Sequence, residues 1–288
     1  MTDALEDHCG TVSIGGSPIT NLRFADDIDG LAGNQYELAS LVEQLDKALS
    51  NFGMEISAEE TKIMTNSKEP SKKGIKVNGQ ILETVTKFKY LGSIISDEGS
   101  KPEILFRIAQ TTAALTKFKP IWNNKNIAIS SKIRLLRSLV MSIFIYACDS
   151  WTLNADTERR ITAMEMRCYR RLLGISYKDH ITNEGVRQRI ENAIGPHVDL
   201  LTIVRQRKLK WYGHTTRSSG LAKTIMQGTV NGARRRGRQK KRWEDNIREW
   251  TGLELRNTLR KAEDREGWKA MVKRSSAAPR RIPNLRDR

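Results

Sequence analysis

Asp26 and Asp27 stand side by side, preceded by apolar Phe24-Ala25 and followed by Ile28. Adjacent carboxylates bracketed by apolar residues suit a tight β-hairpin whose flanks are covered and whose tip meets water. Side chains alternate across a strand, so at most one of the pair faces the core. The other must face solvent, a cation or a partner, because a buried carboxylate left unpaired is costly. Paired hard oxygen donors of this kind suit Mg²⁺ or Mn²⁺. A solvated acidic turn is the plainer reading of the same two residues.

A second stretch carries chemistry of the opposite sign. From Arg234 to Arg242, seven of nine residues are basic: Arg234, Arg235, Arg236, Arg238, Lys240, Lys241 and Arg242. Such a run cannot bury a core and repels itself unless a polyanion is near. Contact with nucleic acid is the favoured use, and a nuclear localisation signal is the rival. The flanking Trp243, Trp250 and Trp268 are expected to build a small helical core. Charge is divided in the same sense. Residues 201–288 hold 25 Lys+Arg against 8 Asp+Glu, whereas residues 1–60 hold 2 against 12, within an overall charge of +17. An acidic start and a basic end fit a protein that handles nucleic acid.

At 288 residues and 38% hydrophobic content, the chain has room for two or more domains with cores of their own. No apolar run approaches the roughly 20 residues that span a bilayer, so no membrane partner is expected. The polar start Met1–Gly10 does not resemble a signal peptide. Cys9, Cys148 and Cys168 lie far apart without metal-ligand spacing, which points to a reducing intracellular setting, nuclear or cytoplasmic.

Elements must hold these groups in place. Residues 11–14 and 19–24 read as strands around a Gly-Gly-Ser-Pro turn, the second running into the Asp pair. Asn34 caps an amphipathic helix with Leu38, Leu41, Val42, Leu45 and Leu49 on one face, closed by Gly53. Ser57-Ala58-Glu59-Glu60 has the spacing of a capping box, and residues 61–65 return to extended chain. Residues 75–82 form a hairpin whose Asn78-Gly79 turn accepts positive φ. From Ser100 the period becomes helical, over about 102–118, 130–147, 156–174, 183–192 and 198–211. Gly195-Pro196 is the expected boundary into the basic end. Arg159, Arg160, Arg167, Arg170 and Arg171 fall on the helix over 156–174, where they either meet phosphates or form a solvated face.

Taken with its surroundings, Phe24-Ala25-Asp26-Asp27 resembles the catalytic hairpin of reverse transcriptases of non-long-terminal-repeat retrotransposons. Residues 52–64 resemble the following polymerase motif. There Lys62 would be the acid that protonates the leaving pyrophosphate, although Glu60 stands before Thr61 where the family carries lysine. Phe88-Lys89-Tyr90-Leu91-Gly92 resembles the primer grip. Trp211-Tyr212-Gly213-His214, the arginine run and Trp243-Glu244-Asp245 look like the C-terminal region of such polyproteins. The resemblance implies an α+β chain. Its parts would be a partial polymerase palm (1–96, antiparallel sheet with helices), an all-helical thumb and connection (97–195), and a small basic helical C-terminal domain (196–288). It implies Mg²⁺ or Mn²⁺ on Asp26 and Asp27, an RNA template, a DNA primer or duplex, and nucleotides in the complete enzyme. The fingers segment and the first aspartate motif have no counterpart here. The expectation is therefore a fragment of an RNA-directed DNA polymerase, inactive alone. The alternative is a non-catalytic RNA- or DNA-binding protein that acts through its basic end.

Overall fold

The computed structural model describes residues 10–66, 74–228 and 240–277. The chain divides into two units, 1–89 with 218–238 and 90–217 with 239–288.

In the first unit, β1 (Ser13–Ile14) pairs antiparallel with β2 (Ser17–Pro18), and β3 (Asn21–Phe24) with β4 (Asp27–Gly30). Helix α1 (Gln35–Ser50) follows, its Asn34 side chain accepting from Glu37 N as the N-cap. β5 (Lys62–Ile63) runs parallel to β8 (Glu83–Thr84), and β6 (Lys76–Val77) antiparallel to β7 (Gln80–Ile81). Asn78 and Gly79 turn that last hairpin at φ of 50° and 78°, as their types require. A small core of Ile75, Val77 and Leu82 is covered by Leu38, Val42, Ile56 and Ile63. Among the described residues these strands pair only two at a time. Each ladder is two to four residues long. Ser57 to Glu60 makes a single turn, with Glu60 N donating to Ser57 Oγ at 3.3 Å, instead of opening a helix. β9 (Lys87–Tyr90) crosses from one unit into the other, and α9 (Leu221–Gln227) returns to the first.

The second unit is helical apart from β10 (Ser93–Ser96). It contains α2 (Lys101–Lys117), α3 (Lys119–Asn123), α4 (Ile129–Leu135), a π-helical segment (Leu136–Met141) and α5 (Ser142–Phe144). α6 (Ala155–Leu173), α7 (Asn183–Ile194), α8 (Leu200–Arg217), α10 (Trp243–Thr251), α11 (Leu255–Glu263) and α12 (Arg265–Ala277) complete it. Its core gathers Ile104, Leu136, Phe144, Trp151, Ile161, Met166 and Val204. Local chemistry sets the helix ends. Asn154 Oδ1 accepts from Thr157 N while the Thr157 hydroxyl accepts from Asn154 N, both at 2.9 Å, and Gly174 at φ 68° stops α6. The single helix expected over 130–147 is instead interrupted. Ser138 and Ser142 hydroxyls donate to carbonyls one turn back, which competes with the regular ladder, and Ala147 turns left-handed at φ 51°.

The two units do not follow the expected break at Gly195-Pro196. α8 packs on α6 and also on α11 and α12, so residues 200–217 and 240–277 belong with the preceding helices. The tryptophans explain this. The Trp268 indole is buried and donates to Leu209 O at 2.9 Å, and any Cβ at Gly213 would collide with it. Trp243 donates to Asp149 O at 2.8 Å.

On the buried face of α6, burial raises the Glu165 carboxyl to about 7, although Leu200 N donates to it at 2.8 Å. In the unfolded chain this group titrates near 4.5. A raised native value favours the fold while the acid stays protonated, so stability from this group is full below 4.5 and is lost as pH rises toward 7. Glu165→Gln is expected to flatten the stability profile over that window, by about 3 kcal/mol at most. Urea melts at pH 5 and pH 8 check this, and unchanged differences between the two would refute it.

Candidate functional site

The Asp pair occupies a hairpin turn. Phe24 is registered opposite Asp27, Ala25 takes a left-handed φ of 54°, and Asp26 sits in the turn itself. Both aspartates are exposed, as is Phe24 beside them at 61%. Asp29, which sequence reading passed over, lies on the same side of β4 as Asp27 because it is two residues along a strand. Neither Asp26 nor Asp27 forms an ion pair with another described residue. Among the described residues no three His, Cys, Asp or Glu side chains converge as a metal cluster. Two carboxylates on an open turn offer some hard oxygens for a divalent ion, but they do not fit the enclosed ligand set of a two-metal polymerase centre.

Lys62 is committed elsewhere. Its ammonium lies 2.9 Å from Glu83 Oε2 across the β5–β8 pair, where the register sets the two residues opposite each other.

At the residues resembling a primer grip, Phe88 and Tyr90 are half-buried and Lys89 is exposed. β9 ends in a two-residue turn, Leu91 at φ 45° and Gly92 at φ 79°. Positive φ at both positions is the hairpin geometry that matches strand twist, and Leu91 adopts it only because its surroundings hold it there. Tyr146 donates its hydroxyl to Leu91 O at 2.8 Å, and Arg107 Nη2 donates to Gly92 O. Arg107 is also paired with Glu103 at 2.6 Å, with both side chains buried, and its guanidinium lies 4.5 Å from the Tyr146 ring centre. Glu103 in turn accepts from Ile94 N at 2.6 Å. Glu103, Arg107 and Tyr146 thus fix the turn, and the sequence reading did not name them. The signal was an acid and an arginine four residues apart on an otherwise apolar helix face.

Arg234, Arg235, Arg236 and Arg238 lie outside the described residues. Lys240 Nζ donates to Asp97 O at 3.0 Å, and Lys241 pairs with Glu249 at 2.6 Å. Arg242 is exposed, while its backbone N–H donates to Asp245 Oδ2 at the start of α10.

The arginines of α6 separate into two groups. Arg160 and Arg159 reach Asp156 at 3.0 and 3.8 Å. The cations Arg160 and Lys101 hold the Asp156 carboxyl below its ordinary range. Arg167, Arg170 and Arg171 instead line a cleft with Ala163 and Ile175. Arg170 is oriented by Ile181 O and Asn183 Oδ1 at 3.0 and 2.9 Å. Arg167 and Arg171 are exposed and have no carboxylate partner among the described residues. Unneutralised guanidiniums one turn apart form an anion-seeking face.

No family model matches the chain, and no solved structure matches it. It is 30% identical over 278 residues to a Caenorhabditis elegans protein named as an uncharacterized transposon-derived protein, an alignment covering 91% of this chain and 98% of that protein.

Proposed function

The chain belongs to the family of that transposon-derived protein, and on that premise we propose that it is reverse-transcriptase-derived and engages RNA and DNA through phosphate contacts. The observation that carries this reading is the Phe24-Ala25-Asp26-Asp27 turn, an exposed carboxylate pair at the tip of a hairpin. The resemblance of that string to a polymerase hairpin agrees with transposon descent. Asp26 and Asp27 would offer oxygens to Mg²⁺ or Mn²⁺ but are not by themselves the ligand set that two-metal phosphoryl transfer needs. The Leu91–Gly92 turn, clamped by Arg107 and Tyr146, is suited to hold a strand end. The cationic face of α6 and the run from Arg234 to Arg242 supply charge for the backbone.

With an incomplete carboxylate set, the chain is expected to bind nucleic acid without extending a primer in Mg²⁺ or Mn²⁺. If ~5–7 cations each displace a condensed counterion, log K against log[salt] falls with a slope of roughly −4 to −6 on duplex or single strand. Arg234, Arg235, Arg236 and Arg238 changed together to Ala should flatten that slope by about 3. Sequence preference should be weak, because backbone contacts carry no base readout. Affinity independent of salt would sink the binding reading. Primer extension abolished by Asp26→Asn would overturn the incomplete-site reading while strengthening the descent. Unchanged affinity after the four substitutions would favour the localisation-signal use of the run.

A further inference from the structure

The π-helical segment places groups that phosphate-backbone contact does not use. Ser130, Ile133, Arg134 and Arg137 from one side, and Ala193, Ile194, Pro196 and His197 from the other, line a cleft of about 400 Å³ in the second unit. Single π turns inside α-helices occur frequently at functional sites, because the widened turn re-aims side chains out of the regular helical pattern. Here the turn begins between Arg134 and Arg137.

Both arginines lack a carboxylate partner among the described residues. Two like charges on successive turns disfavour each other unless an anion joins them. Two polar atoms at this cleft, Arg137 Nη2 and His197 Nδ1, are buried without a hydrogen-bond partner. Arg137 also meets the Tyr169 hydroxyl and His197 the Gly195 backbone, so each side chain is partly satisfied and keeps one unmatched polar atom at the cleft. The His197 ring is held edge-on to Tyr169, centres 5.9 Å apart. Burial, followed by the Arg137 charge, lowers the His197 pKa, so a neutral imidazole faces the cleft at neutral pH. Glu191 and Asp199 pull in the other direction. The Asp199 carboxylate is already occupied by Thr202 N and Oγ at 2.7 and 2.9 Å.

We propose that this cleft is a binding site for a phosphomonoester, its dianion held by Arg134 and Arg137 and its organic part resting on Ile133, Ile194 and Pro196. Guanidinium forks match phosphate oxygens in pairs, and a doubly charged group answers two unneutralised arginines better than a carboxylate does. The cleft is also larger than inorganic phosphate needs, and its apolar wall gives the remainder of the ligand a surface. The phosphate is borne either by a free nucleoside monophosphate or by the 5′ end of a nucleic-acid strand. The site is independent of the Asp26–Asp27 turn and of the polymerase reading.

The test is calorimetric titration of the full chain with adenosine 5′-monophosphate, adenosine and inorganic phosphate, with the His197 imidazole signals followed by NMR. The monophosphate should bind saturably and shift His197, inorganic phosphate should bind more weakly, and adenosine should not bind. Arg137→Gln and the exposed Arg134→Gln should each weaken the monophosphate at least about tenfold, as expected for losing a charged hydrogen-bonding partner. Arg256→Gln, exposed on α11 and outside both clefts, should change nothing. A 5′-phosphorylated oligonucleotide that outcompetes its 5′-hydroxyl counterpart would assign the strand end as the source. Equal competition by the two would assign the free nucleotide. No binding at ~10 mM, where even a weak site of about −3 kcal/mol would show, overturns the proposal. So does affinity untouched by both Arg134→Gln and Arg137→Gln, or adenosine binding as well as its monophosphate.

Discussion

Asn246→Ala is expected to remove about 3–5 kcal/mol from the second unit and to lower its melting temperature by roughly 10 °C. The side chain is fully buried and closes a small knot. Its Oδ1 accepts from Leu153 N at 2.7 Å and from Lys208 Nζ at 3.0 Å, and its Nδ2 donates to Leu153 O at 2.9 Å. Alanine strands both main-chain polar groups of buried Leu153 and leaves the Lys208 amino group with Trp151 O as its remaining hydrogen-bond partner, at 2.7 Å. Lys208 is itself fully buried, its Nζ 4.4 Å from the centre of the Trp243 ring. The double change Asn246→Ala with Lys208→Met should therefore cost less than the two single changes added, with a coupling of about 1–3 kcal/mol. Strict additivity in urea melts would show that the two groups act independently. Lys208 also gives the unit a pH signature. Burial, then the Lys241 charge, lowers its pKa to about 6 against 10.5 when unfolded. Above 6 the fold releases this proton while the unfolded chain retains it, so stability should climb with pH from about 6 toward 10.5. Lys208→Met should remove that climb.

Arg107→Met is expected to cost about 3–5 kcal/mol, because it leaves the Glu103 carboxylate, only 3% exposed, without its countercharge. Adding Glu103→Gln should restore much of the loss, since a neutral amide at that position strands no charge and its oxygen can still accept from Ile94 N. The signature beyond global stability is local. With Arg107 gone, Gly92 O loses its donor and the Tyr146 ring loses the guanidinium stacked on it. Amide exchange at Ile94 should then speed up more than exchange in α6. Protection falling equally at Ile94 and at Ile161 would mean that Arg107 supports the whole unit and not the turn.

Much of the secondary structure was legible because its signals are local. Asn34 and Gly174 mark helix ends through their own side chain or φ, and Asn78-Gly79 can hardly do anything but turn. The Asp26–Asp27 turn was legible for the same reason, with Phe24 and Ile28 giving the flanks. What escaped was pairing at long range. Nothing in the composition of Lys62 and Glu83 says that two-residue strands 21 positions apart will run parallel and pair those charges. The π turn was hidden because Leu136, Val140 and Phe144 keep an ordinary helical period through it. Glu103 and Arg107 drew no notice in the sequence, because only the packing of α2 shows that both are buried. Asn246, within a polar stretch, gives no hint that it will be fully enclosed.

The Asn246 knot joins residues 93 positions apart, since its partner is the backbone of Leu153. A polypeptide leaves the ribosome from its first residue onward, and domains fold as units while it does so. During synthesis, Trp151 and Lys208 are therefore in the open well before Asn246 emerges, and Trp268 follows still later. The nascent second unit must wait, with an ammonium and several indole-sized hollows uncovered, until almost its last helix is made. A copy of the gene carrying a stop codon shortly before Trp243 would leave that waiting state permanent, and quality-control proteases would meet an unfinished helical core.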